Sequence, residues 1–109
     1  MRTLVIIPAE FQEQANTLFV QYVDGEGGDR TFTDSQALVS ENGADDATPT
    51  HYWCSANLTN DAAAKIAEAL PSFPGASALS YKLKDRNFPL AELARRNLKP
   101  RLDHASIDT

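Results

Sequence analysis

The chain has 109 residues, of which 42% are hydrophobic, enough for one ordinary core and too few for two domains. Its single cysteine, Cys54, excludes an intrachain disulfide and fits a reducing compartment. No apolar run approaches the roughly 18 consecutive residues of a membrane span, which excludes an integral membrane protein. The net charge of −5 is unevenly placed. Residues 82–101 carry Lys82, Lys84, Arg86, Arg95, Arg96, Lys99 and Arg101 against Asp85 and Glu92, a local +5 that leaves −10 on the remainder. Such an asymmetry concerns surfaces and partners rather than fold. Its simplest account is that the basic segment docks on its own acidic body.

In chain order, residues 3–7 are β-branched and leucine-rich without polar alternation, which predicts a central strand covered on both faces. Leu4–Ile7 is too short for the roughly 7 to 15 residues of a signal h-region, so it reads as a strand and not as an address. From Pro8, placed at the first helical position, Phe11, Ala15, Leu18, Phe19 and Tyr22 recur with helical spacing, and Gln12, Glu13, Asn16 and Gln21 lie opposite. The acidic, glycine-rich run 24–29 ends that helix. Residues 31–40 predict an irregular or bulged strand, and 41–49 a solvated hairpin loop. In a second strand at 50–57, Tyr52, Cys54 and Ala56 share one face and His51, Trp53, Ser55 and Asn57 the other.

Thr59 or Asn60 caps a helix whose apolar stripe is Ala63, Ile66, Ala67 and Leu70, ended by Pro71 and Pro74-Gly75. Residues 77–84 alternate, with Leu79, Tyr81 and Leu83 inward and Ser80, Lys82 and Lys84 outward, as in an antiparallel strand with one wet face. Pro89 opens a last short helix lined by Leu90, Leu93, Ala94 and Leu98. Arg95, Arg96 and Lys99 sit near its C-terminal end, and Pro100 stops it. The order βαββαβ plus α predicts an α+β, ferredoxin-like antiparallel sheet with two helices on one face. Residues 1–100 form the single domain and 101–109 a tail. Because the first strand is apolar on both faces, the C-terminal helix or a partner chain should cover the second face.

No residues assemble into catalytic, cofactor or metal chemistry. Cys54 lies three residues from His51, the nearest base, and a strand sets that pair on opposite faces. One Cys and two distant His supply no chelating pair. The loop 24–29 lacks both the EF-hand spacing and the pattern of a phosphate cradle, and Asn57-Leu58-Thr59 matches the glycosylation pattern by chance. What remains is a set of interaction candidates: His51, Trp53, Lys82 and Lys84 on the sheet, and Arg95, Arg96 and Lys99 in the basic C-terminal helix. An aromatic beside lysines on an open sheet is how some domains stack RNA bases. However, there is no Lys/Arg-Gly-aromatic run of that type, and the negative net charge opposes phosphate attraction.

Thr31-Phe32-Thr33, Leu38-Val39-Ser40, Gly43-Ala44 and Pro49-Thr50-His51-Tyr52 resemble a group of small uncharacterised proteins of tailed phages and prophages. In that group a T-F-[ST] strand and a G-A-x-P-A-T-H-Y-like hairpin recur. The resemblance spans residues 31–54 and the preceding helix, and carries no activity, cofactor or catalytic residue with it. It implies a phage context, in the cytoplasm of a bacterial host or in the virion. The leading expectation is therefore a non-enzymatic protein-interaction module, a phage accessory, virion or assembly protein. It would bind itself, a virion protein or a host protein through the face around Trp53 or through the basic helix. The alternatives are a nucleic-acid-binding domain using the Trp/Lys face, and a small enzyme whose dimer interface would recruit His51 and Tyr52.

Overall fold

Four consecutive aliphatic side chains dictate the centre of the sheet. Leu4, Val5, Ile6 and Ile7 are all buried in strand β1 (Thr3–Pro8), and each such burial is worth about 1.5–3 kcal/mol. The computed structural model describes residues 3–25, 30–70, 79–82 and 88–101. Its elements after β1 are α1 (Gln12–Tyr22), β2 (Ala37–Ser40), β3 (His51–Ala56), α2 (Asn60–Ala69), β4 (Leu79–Lys82), α3 (Phe88–Arg95) and β5 (Leu98–Pro100). The strands form one antiparallel sheet in the order β4-β1-β3-β2-β5. The protein is thus α+β, with helices on both sides of the sheet.

Alternation along β1 and β3 sorts the core into two layers. Val5, Ile7, Tyr52, Cys54 and Ala56 pack with Ala15 and Phe19 of α1 and with Ala62 and Ile66 of α2. Leu4, Ile6, Leu38 and Trp53 pack instead with Leu93 of α3 and with Leu98. The register, from Thr3↔Ala56 to Pro8↔His51, keeps each pair on a common face. The two faces of β3 are those the alternation predicts, and α3 covers the second face.

Local chemistry moves several boundaries. Pro8 is the last strand residue, extended at ψ 146°, and Ala9 N–H donates to Thr50 O at 2.9 Å, carrying the ladder one step further. The helix therefore begins later, after a 3-10 turn at Ala9–Phe11. Residues 31–40 hold only the short β2, because Thr33 N–H donates to Gln36 Oε1 at 2.9 Å and Gln36 N–H to Thr33 O at 2.8 Å. These bonds close a 3-10 turn at Asp34–Gln36 in place of a bulge. Phe32, fully buried, packs edge-on to Phe19 with centroids 5.0 Å apart. Gln12 and Asn16, on the polar side of α1, are not simply solvated. Both amides hydrogen-bond the Phe32 backbone, Asn16 Oδ1 accepting from Phe32 N–H at 2.6 Å.

Thr59 caps α2, its Oγ1 accepting from Ala62 N–H at 3.1 Å. The buried stripe runs through Ala62, Ile66 and Leu70, while Ala67 is exposed. The predicted terminators Pro71 and Pro74-Gly75, the glycines at 27–28, Lys84 and the tail beyond Arg101 lie outside the described residues.

The largest departure is at the C-terminal helix, which stops at Arg95. Asn97 takes φ 60°, a left-handed conformation that asparagine tolerates, and turns the chain into β5. Leu98 and Lys99 are accordingly strand residues, not helical ones. Glu41 N–H donates to Asn97 O and Arg101 N–H to Ala37 O, both at 2.9 Å, so residues 97, 99 and 101 face β2. Pro100 therefore sits at an outward position of the sheet edge, where it has no N–H to offer another strand.

Candidate functional site

Helix α3 and the turn after it gather the charge asymmetry seen in the sequence. Glu92, one turn before Arg95 and Arg96, is 3% exposed, a burial a carboxylate tolerates only when paired. Arg96 Nε donates to Glu92 Oε2 at 3.0 Å, and Arg95 Nη2 lies 3.6 Å from Oε1. Lys99, on β5, reaches Asp45 of the β2–β3 loop at 3.2 Å. Three of the expected cations are thus engaged within the chain, two of them by a carboxylate of the same segment.

On the sheet, His51 and Trp53 are brought together on the α3 side of β3. His51 is half-buried, with Nδ1 2.9 Å from Thr50 Oγ1. Burial first, and then the charge of Arg96, lowers its pKa from the usual 6.5. Trp53 is 6% exposed beneath Leu93 and Leu98. The indole is therefore not an open stacking platform in this chain. Lys82 stands opposite Thr3, in the row of Ala56, three residues from the Ile6↔Trp53 row and with β1 between. The structure does not describe Lys84, the other lysine of the expected Trp/Lys face. Nor does it unite His51 with Tyr52, which is buried in the α1/α2 layer on the opposite side of the sheet.

Two buried polar atoms on this face, Trp53 Nε1 and Ser55 Oγ, have no hydrogen-bond partner among the described residues. Outward, α3 exposes Leu90, Ala91, Ala94 and Arg95, the Arg95 side chain being 66% accessible. The sequence reading passed over both Glu92 as the hub of the basic turn and this outward strip. The available signal for Glu92 was its i,i+3 and i,i+4 spacing to two arginines.

Among the described residues no three His, Cys, Asp or Glu side chains group as metal ligands, and no helix is long and apolar enough to cross a membrane. No protein-family model matches the sequence, and no match was found among curated proteins or solved structures.

Proposed function

We propose that the chain is a non-enzymatic protein-interaction module, a phage accessory or structural protein working in the host cytoplasm or the virion. Its contact surface is the outward side of α3. The observation that carries this reading is the apolar strip Leu90, Ala91 and Ala94 beside exposed Arg95, on a helix whose other side already buries Glu92 and Leu93. A short helix apolar on both sides is ordinarily covered on both. The arrangement we assign is ferredoxin-like, supported by the order β4-β1-β3-β2 with α1 and α2 together on one face, to which α3 and β5 are additions. Intrachain pairing of Arg95, Arg96 and Lys99 leaves less free positive charge for phosphate than the sequence suggests, which favours a protein partner.

The test is affinity capture from phage and host lysates together with light scattering, using the wild-type chain and Leu90→Glu. Self-association or a captured partner lost in Leu90→Glu, with the thermal midpoint unchanged, is expected. A monomer that captures nothing from either lysate overturns the reading.

A further inference from the structure

Among the described residues two large apolar side chains stand exposed, Val20 on α1 and Leu90 on α3. The sheet separates them, since α1 packs on the face of Val5 and Cys54 and α3 on the face of Trp53. Their surroundings have opposite charge. From Pro8 to Asp24 the chain holds no lysine or arginine, and Glu10 and Glu13, both exposed, enter no ion pair among the described residues. Glu13, Thr17 and Val20 follow one another at i, i+4 and i+7, a single outward stripe of α1. On α3 the exposed cation is Arg95, whose side chain is 66% accessible although it lies 3.6 Å from Glu92. The sheet keeps Arg95 from the carboxylates of α1 in its own chain, so this attraction is available only between copies.

We propose that the chain assembles head to tail, the outward strip of α3 in one copy seating on the Glu13–Val20 stripe of α1 in the next. This rests on the α3 surface assigned above and names its partner as a second copy. The orientation follows from the cations of the α1/α2 layer. Arg30 Nη1 donates to Val20 O at 3.3 Å and Lys65 Nζ lies 5.9 Å from the Tyr22 ring centre, so both stand at the C-terminal end of α1, beside Asp24, and neither pairs with Glu10 or Glu13. Leu90 on Val20 with Arg95 toward Glu13 therefore sets the two helices antiparallel. That also brings the C-terminal end of α3 to the N-terminal end of α1, as their dipoles favour. At about 1.5 Å per residue, Arg95 lies about 7.5 Å beyond Leu90 and Glu13 about 10.5 Å from Val20, a difference the arginine stem spans. The two patches differ and lie on opposite sides of the sheet, so the contact is heterologous. Each copy that joins leaves a patch free at either end, and growth gives a ring or a filament rather than a twofold dimer. Two helices this short cover less than the roughly 800 Å² a side of a standard interface, so assembly depends on concentration.

The test is sedimentation velocity of the full chain from about 10 μM to about 1 mM, in low and in high salt. The weight-average mass is expected to rise about threefold or more above the 11.9 kDa of one chain, without levelling at the dimer, and to fall back in high salt. Arg95→Glu and Glu13→Arg should each stay monomeric while far-UV circular dichroism remains native. Mixed in equal amounts, the two variants should regrow the assembly, because each then meets complementary charge on both the α1 and the α3 of the other. A variant that had merely lost its fold is not rescued in this way. A wild-type chain that stays monomeric at the highest concentration, a mass that levels at the dimer, growth that survives Glu13→Arg, or a mixture that stays monomeric overturns the proposal. Capture of a different protein through α3 by a monomeric chain would leave the interaction reading standing while this proposal fails, so the two fail separately.

Discussion

Replacing Phe32 with alanine should remove the keystone of the α1/α2 layer. The ring is fully buried and meets Phe19 edge-on at 5.0 Å and 75°, an arrangement worth about 0.5–1.5 kcal/mol beyond area burial. Phe→Ala in a core costs about 3–5 kcal/mol, depending on how far the surroundings collapse. Collapse is restricted here because Asn16 and Gln12 hold the Phe32 N–H and C=O in place, which puts the expected loss in the upper half of that range. Against a total of about 5–15 kcal/mol for a domain, that is a third or more of the stability. Urea unfolding followed by Trp53 emission, which reports from the other face of the sheet, measures it if the transition is cooperative. Asn16→Ala should cost about 1–3 kcal/mol by leaving the Phe32 N–H unpaired, and less in the Phe32→Ala background, where the segment can shift. A loss below about 1 kcal/mol for Phe32→Ala would refute the assignment of this side chain as a core plug.

Asn97→Val, which forces a β-branched residue to φ 60°, should cost about 1–2 kcal/mol, whereas Asn97→Gly should change thermal stability by about 0.5 kcal/mol or less. Thr59→Ala removes the α2 cap and should lower stability by about 1 kcal/mol in chemical denaturation. Since folding lowers the His51 pKa, the unfolded chain binds its proton first. The His51 contribution is therefore complete above about pH 6.5 and lost as the pH falls toward the folded value. The urea midpoint of wild type should fall relative to that of His51→Gln as the pH drops below about 6.5, and a constant difference between the two would refute this. Lys99→Ala should change stability by no more than about 1 kcal/mol, because its partner Asp45 is 69% exposed, and should do less in high salt.

What could be read from the sequence followed the period of the apolar residues. The run Leu4–Ile7 announced a strand buried on both sides, and alternation from His51 to Ala56 separated the two faces that the α1/α2 layer and α3 now occupy. Positions decided by single hydrogen bonds were not legible. Nothing in Thr33-Asp34-Ser35-Gln36 distinguishes a polar strand from a 3-10 turn until the Gln36 amide is seen returning to Thr33 N–H. In the same way Leu90, Leu93, Ala94 and Leu98 fit a continuous helix. It is the pairing of Leu98–Pro100 with β2 that makes a break at Asn97 preferable. The candidate site rested on which face stayed open, a question of tertiary packing.

Burial of Trp53 shifts the weight of the functional argument from the sheet to the helix above it. An open sheet carrying tryptophan and lysines would suit a stacked base, but here Leu93 and Leu98 already fill that position. The basic segment is likewise partly spent within the chain, with Glu92 engaging two arginines and Asp45 the nearby lysine. A segment that supplied only phosphate affinity would not need a carboxylate buried at its centre, since each neutralised cation weakens that affinity. A segment that packs on the sheet can hold such a carboxylate, because the two arginines offset its charge where it is buried. Both ion pairs lie within α3 and the turn after it, so the rotation of α3 against the sheet is set by the inward burial of Leu93 and Glu92. That burial leaves Leu90, Ala91, Ala94 and Arg95 outward, and so the packing that sets Leu93 over Trp53 also presents the surface proposed for a partner.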